Sequence, residues 1–177
     1  MRRTLPGAAI EIDDSLPGAA DTLLSALFLG GDLVLSQVCH ISGLEAHMIQ
    51  NWVARGYLPP PVNKHYSRRQ LSRILIINML RSVLPLDQIC RLLSYVNGHL
   101  DDISDDAVDD SQLYLWLADL TRDFSPQALQ AALDQYQEPF PGARRRVEQV
   151  LEILVTAYHA SVLQHQAQQM ISGLDTI

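Results

Sequence analysis

The chain of 177 residues is poor in cysteine, with only Cys39 and Cys90. Small secreted domains that depend on disulfides carry a denser set of cysteines. We therefore expect no disulfide framework and a reducing, cytoplasmic location. Each cysteine lies among apolar residues on a predicted helix, which favours a packing role over metal binding or redox chemistry.

Long apolar runs are also missing, since no stretch reaches the roughly 18 uninterrupted apolar residues of a membrane span. The opening Arg2 and Arg3 are followed by Glu11, Asp13 and Asp14 instead of the continuous apolar segment of a secretory signal. We expect neither a signal peptide nor any association with a membrane.

The motifs of common catalytic and cofactor sites are absent as well. The sequence has no glycine-rich phosphate loop, nucleophile elbow or paired-carboxylate motif, so we expect neither an enzyme nor a bound cofactor. Its 6 histidines never meet a second ligand at zinc spacing. Its aspartate run lacks the glycine and closing glutamate of a calcium loop, so no metal site is expected.

What the sequence does have is an uneven distribution of charge. Hydrophobic residues make up 47% and charged residues 19%, which is typical of a folded globular chain. The net charge of −7 divides into −3 for residues 1–32, +5 for 33–98, −9 for 99–143 and 0 for 144–177. The basic stretch is a local positive field of the kind that attracts phosphate. The aspartate run that follows it predicts a solvated linker over 99–111.

Apolar residues recur at helical spacing along most of the chain, which predicts an all-α protein. No strand longer than two or three residues fits. The N-terminal segment is predicted to be an arm with turns, followed by a short packing helix. Further helices are predicted over residues 35–40, 45–55, 68–83, 86–95, two segments capped by Ser111 and Ser125, and about 144–172.

The predicted helices over 35–40 and 45–55 are joined by a turn at Ser42-Gly43 and have the lengths of a helix-turn-helix. In the second helix, Ile49, Trp52 and Val53 can face inward. The other side is short or polar, which suits the hydrogen-bonding groups on base edges in a major groove. The residues expected to read bases are His47, Gln50, Asn51 and Arg55.

The motifs around this helix pair are Gly43-Leu44-Glu45, Gly56-Tyr57-Leu58-Pro59, Lys64-His65-Tyr66 and a helix with Leu86, Ile89, Leu92 and Leu93. Over about residues 33–96 they resemble the MerR family of DNA-binding domains, and most closely a poorly characterised bacterial MerR-like group of unknown function. The resemblance implies a short-winged helix-turn-helix, double-stranded DNA as partner and a role in transcriptional control. Gln50 and Asn51 stand where the family has Arg and Tyr, and Lys64 where its wing has Arg, so base preference does not transfer.

Cationic side chains cluster after three consecutive prolines, which cannot donate to a strand ladder and argue against a full β-hairpin wing. Arginines in the first turns of a helix oppose its dipole, a cost that a nearby anion would remove, although a solvated helix start is the alternative. Tyr66 could either donate to a phosphate or pack at the base of the wing. The expected phosphate contacts are Lys64, His65, Tyr66, Arg68, Arg69 and Arg73.

The long last helix carries an apolar seam at intervals of three and four residues, which predicts a homodimer through a partner helix. A two-fold protein would match two half-sites on DNA. The aromatic residues Tyr114, Trp116 and Tyr136 are at a spacing typical of core, and a pocket for a small-molecule effector is the alternative. The seam consists of Val147, Leu151, Leu154, Tyr158 and Val162.

The sequence thus predicts an N-terminal arm and packing helix (1–32), a DNA-binding module (33–98), an acidic linker (99–111) and a helical dimerisation and effector domain (112–177). The predicted function is sequence-specific DNA binding as a homodimer for transcriptional control. The rival is a protein-interaction module that uses the helix-turn-helix to dock a protein partner without DNA, because the net acidity opposes DNA.

Overall fold

A computed structural model describes residues 2–13, 18–100 and 102–174. In these ranges the chain is mostly helical, as predicted, with eight helices and two short antiparallel strand pairs, β1–β2 and β3–β4. The elements are β1 (Arg2–Thr4), β2 (Glu11–Asp13), α1 (Ala19–Leu27), β3 (Leu33–Val34), α2 (Leu35–Ser42), α3 (Ala46–Ala54), β4 (His65–Tyr66), α4 (Arg68–Leu80), α5 (Leu86–Asn97), α6 (Asp110–Leu120), α7 (Pro126–Ala132) and α8 (Ala143–Leu174).

Helix α4 is the centre of the molecule. Every residue from Leu71 to Ile77 is buried, and α2, α5, α6 and α8 all pack against this helix. A helix that is apolar on nearly all sides needs such complete cover. Its start is fixed by a capping box, in which the Ser67 hydroxyl accepts from the Gln70 amide and the Gln70 side chain accepts from the Ser67 amide.

The N-terminal arm is a small hairpin that packs on α4. Strands β1 and β2 pair with Arg3 opposite Ile12. Gly7 in the turn has a φ of +71°, and a Cβ atom there would lie 2.0 Å from the carbonyl oxygen of Leu75. Only glycine therefore lets the turn approach the α4 backbone this closely. The Tyr114 hydroxyl on α6 holds the other side of the turn by donating to the Pro6 carbonyl at 2.7 Å.

The acidic stretch before α6 is only in part the solvated linker that its composition predicted, because residues 102–104 are exposed but the second half packs against the core. Ala107 and Val108 are buried, and the Ala107 amide donates to the Val96 carbonyl at the end of α5. Asp110, the first residue of α6, is 2% exposed. The stretch packs because its carboxylates find arginine partners on α4, which offset part of the cost of burying charge. Asp101 lies outside the described residues.

The predicted dimer seam on the last helix is used inside the single chain. Val147, Leu151 and Leu154 are fully buried, because α8 packs against α4, α5 and α6 with this face. Tyr158 and Val162 are half-buried at the end of the same face. The expectation that the first three of these residues meet a partner helix is therefore wrong. Residues 163–174 of α8, by contrast, are exposed along their whole length.

Candidate nucleic-acid interface

Helices α2 and α3 are joined by the three residues Gly43, Leu44 and Glu45. Gly43 ends α2 in a left-handed conformation, with φ 69°, and its amide donates to the Cys39 carbonyl at 2.8 Å. Glycine adopts this conformation without steric cost, so the chain can reverse here in a few residues. Leu44 is buried and anchors the turn against the core.

One face of α3 points away from the protein. Ile49 and Trp52 are buried, and the polar residues predicted to read bases are all exposed: His47, Gln50, Asn51 and Arg55. His47 lies 3.1 Å from the Glu45 carboxylate. The Arg55 guanidinium lies 4.7 Å from the centre of the Tyr57 ring and donates to its hydroxyl, which holds the cation at the end of the helix.

A minimal hairpin follows α3 after the prolines. Val62 and His65 exchange two backbone hydrogen bonds at 3.0 and 2.9 Å around Asn63 and Lys64, both of which have positive φ. This two-residue turn has the left-handed backbone of tight hairpin turns. Strand β4 then pairs with β3, with Leu33 opposite Tyr66. The prolines therefore leave a very short wing, with Lys64 and His65 exposed at its tip.

Tyr66 faces inward from this hairpin and is 3% exposed. Burial raises the pKa of its hydroxyl. The expected phosphate contact from Tyr66 is wrong, because its ring packs at the base of the hairpin, as the alternative interpretation had it. Cys39 and Cys90 are half-buried free thiols whose pKa values burial also raises, as expected for packing residues.

Arg68 and Arg69, in the first turn of α4, are both engaged by carboxylates. Arg68 contacts Asp21 of α1 at 2.6 Å. Arg69 contacts Asp106 at 2.7 Å, with Asp110 at 3.6 Å and Asp109 at 3.9 Å. The Arg68 and Arg69 side chains stay 30% and 22% exposed, so both remain at the surface.

Arg73 is buried, with 1% exposure, so the predicted phosphate contact is wrong for this residue. Its Nε donates to the Tyr57 carbonyl at 3.0 Å and its Nη1 lies 3.4 Å from Asp110. Asn97 at the end of α5 also donates to Asp110. Arg73 thus joins the segment after α3 to the start of α6 through the interior.

The carboxylates of this cluster exceed the cations that face them. Desolvation raises the pKa of Asp106 to about 6, in spite of the attraction of Arg69, and it also raises the pKa of Asp110. One oxygen of Asp106 is buried without a hydrogen-bond partner. Sequence reasoning missed the Arg69–Asp106 and Arg73–Asp110 pairs. The signal for them was the +5 stretch directly followed by the −9 stretch.

Three surface grooves accompany these elements. An apolar groove of about 570 Å³ lies between α2, α3 and the hairpin and is lined by Val34, Val53 and Pro61. Gln50 and Lys64 add polar side chains to its lining. A groove of about 800 Å³ contains Trp116 and Tyr136, whose rings meet edge to face. A third, of about 760 Å³, lies between α5 and α8 and contains Tyr95 and Ile153.

Neither a metal centre nor a membrane-spanning helix is found among residues 2–13, 18–100 and 102–174. No group of three or more His, Cys, Asp or Glu side chains there is arranged to hold a metal ion. None of the helices described combines the length and apolar character needed to cross a bilayer.

Comparison with known proteins gives a partial match. The family model of a domain of unknown function, DUF1836, matches residues 30–115, from just before β3 into α6. The uncharacterized protein YkrK of Bacillus subtilis (strain 168) is 31% identical over 78 residues, which is 42% of this chain and 34% of the relative. This chain therefore aligns with about a third of the relative's length. No solved structure matches the chain.

Proposed function

We propose that this protein is a sequence-specific DNA-binding regulator that places α3 in the major groove. The observation that carries the proposal is the outer face of α3, where four polar side chains are exposed directly after a tight turn. Asn and Gln can pair with an adenine edge, and Arg can pair with guanine or phosphate. The small Ala46 and Ala54, also exposed, let the helix approach the bases closely.

The short hairpin also supports the placement of α3 in the major groove. Lys64 and His65 stand at its tip, and the chain enters α4 only a few residues later. In a helix-turn-helix complex, contacts to phosphate fix the register of the reading helix. Lys64, His65 and Arg55 are the exposed groups suited to this role. The arrangement of turn, α3 and short wing is the basis for extending the MerR-like resemblance to function.

We further propose that the protein binds as a homodimer through the exposed face of α8. This face carries a seam with alternating spacings of three and four, as in a coiled coil. Residues 153–174 contain no charged side chain, so two copies meet without repulsion. Leu163, Met170 and Leu174 are exposed in the single chain, and a second copy would bury them. The seam consists of Ile153, Thr156, Ala160, Leu163, Ala167, Met170 and Leu174.

The rival function, a module that docks a protein partner, is favoured by two observations. Asp21, Asp106 and Asp110 neutralise three arginines of the basic stretch, which weakens its field. The apolar groove beside Gln50 offers Val34, Val53 and Pro61 to an apolar side chain. A separate proposal is that a small-molecule effector binds the groove at Trp116 and Tyr136 and controls the protein through its C-terminal part.

Selection from a random duplex library tests base reading by the full-length protein. We expect enrichment of a two-fold site, with half-sites about one helical turn apart. Gln50→Ala or Asn51→Ala should relax preference at one position of each half-site by about 1–3 kcal/mol. Gln88→Ala, which removes an exposed glutamine side chain on α5, is the matched control. A library that stays random after selection would contradict base reading.

A further inference from the structure

Two arginines lie at the surface next to α3, in the first turn of α4. Arg68 and Arg69 begin α4 directly after the hairpin, and Gln70 ties this turn to the segment that follows α3 by donating to the carbonyls of Pro59 and Pro60 at 3.0 and 2.9 Å. The first turn of α4 is therefore held beside the proposed DNA-binding elements. Its arginines would extend a phosphate-binding surface if they were free.

Arg69 is not free, because the acidic segment surrounds its guanidinium. Three carboxylates, from Asp106, Asp109 and Asp110, lie within 4 Å of it, the nearest at 2.7 Å. Oxygen anions at this distance and in this number are what a phosphate group offers to an arginine. The segment thus occupies the place that a phosphate would take.

We propose that the segment from Asp106 to Asp110 is an internal phosphate mimic, which withholds Arg69 from DNA until a phosphate of the DNA backbone competes for its guanidinium. This inference rests on the proposed DNA binding and assigns regulation to the same site. Arg73 takes no part in the exchange, since it is buried and its Nε is committed to the Tyr57 carbonyl.

The geometry makes the exchange local. Arg69 stays 22% exposed and Asp109 is 49% exposed, so the arginine reaches solvent by rotating its side chain. The backbone of the acidic segment stays in place during this exchange, because Ala107 and Val108 anchor it in the core. Release leaves Asp106, whose side chain is 9% exposed, without its closest cation, so a phosphate must compete with the three carboxylates for Arg69.

The test compares full-length variants for binding to a random 30-base-pair duplex by fluorescence anisotropy, between 50 and 200 mM salt. Asp106→Asn and Asp109→Asn should each raise affinity roughly fivefold to tenfold and steepen the salt dependence by about one phosphate contact per protomer, a slope of ~0.9 for each copy of Arg69. Asp109→Asn retains the helix cap, since Asn caps as well as Asp. Adding Arg69→Ala should abolish both gains.

The matched control is Asp123→Asn, which removes the same charge at an exposed position beyond α6. Gains no larger than in this control, or gains that survive Arg69→Ala, would overturn the inference. The same variants are run on a heparin column, where Asp106→Asn and Asp109→Asn should elute at higher salt than Asp123→Asn. If no protein binds duplex DNA, the DNA proposal fails, and the heparin comparison alone decides whether the segment masks Arg69 from polyanions.

Discussion

The guanidinium of Arg73 lies 3.4 Å from the carboxylate of Asp110 in the interior, and each of these side chains is 2% exposed. The pair connects α4 with the first residue of α6, and the Tyr57 carbonyl and Asn97 complete its hydrogen bonds. A buried ion pair of this kind adds little net stability compared with an apolar core, but losing one partner strands a charge. The pair is therefore one of the contacts that hold the acidic segment against α4, together with the buried Ala107 and Val108.

Arg73→Met should lower the free energy of unfolding by about 3 kcal/mol, the lower end of the usual range for a broken buried pair, because Arg69 and Asn97 still face Asp110. Urea denaturation at pH 7 measures this. Arg91→Met, which changes an exposed arginine on α5, should change stability by less than about 0.5 kcal/mol. Equal losses in the two variants would show that the buried pair is not required for the stability of the fold.

Stability should depend on pH through Asp106, whose pKa of about 6 in the folded protein exceeds the roughly 3.9 of an unfolded chain. Between these values the folded state holds a proton that the unfolded state releases. The contribution of Asp106 to stability is therefore greater at pH 5 than at pH 7. Arg69, Asp105 and Asp110 are the charged groups that act on this carboxyl.

Asp106→Asn should remove this part of the pH dependence. Urea denaturation of the native protein and of Asp106→Asn at pH 5 and pH 7 isolates the contribution, since the two proteins differ only at this carboxyl group. We expect the native protein to gain stability relative to the variant as the pH falls from 7 to 5. A difference that stays constant, or a relative loss, would contradict the raised pKa.

The exposed seam on α8 should hold a dimer together. Leu163→Glu combined with Met170→Glu places like charges in the contact and should give a monomer in sedimentation at micromolar concentration. His165→Glu combined with Gln168→Glu alters the opposite face of the same exposed segment and should leave the dimer intact. A native protein that sediments as a monomer would rule out the dimer. Leu151→Glu, by contrast, should unfold the single chain, because Leu151 is fully buried.

Lys64→Ala should weaken binding to all DNA sequences alike, because a phosphate contact carries no base information. Because the proposed dimer carries two copies of Lys64, the slope of log affinity against log salt should become shallower by about 0.9 for each copy. Anisotropy titrations against a selected and an unrelated duplex measure both effects. Arg91→Ala, an exposed cation on α5, is the control and should leave the slope unchanged.

The helices could be predicted from the sequence because their signals are local. Periodic apolar residues, Gly43 at the end of α2 and the Ser67 cap of α4 all act within a few residues of the boundary that they set. The outward face of α3 could be predicted for the same reason, since Ile49 and Trp52 identify the side that must be buried. Exposure of the polar residues then follows from helical geometry.

Two features could be assigned only from the tertiary structure, and they affect how DNA binding is measured. An apolar seam such as Val147, Leu151 and Leu154 shows that a face is buried, but not whether α4 of the same chain or a second copy covers it. Asp106 and Asp110 resemble solvated residues until the fold brings arginines to them. A fragment of residues 33–98 would uncover the sides of α4 that α6 and α8 protect, so DNA binding has to be measured on the full chain.

The most direct test of DNA binding is the affinity of the full-length protein for its selected duplex as a function of salt. With Arg55, Lys64 and His65 exposed around α3, a dimer should contact several phosphates, and log affinity should fall linearly with log salt at about −0.9 per contact. Preference over an unrelated duplex should persist across the range. Absence of binding at 50 mM salt would contradict the account and leave the protein-docking module as the function of this surface.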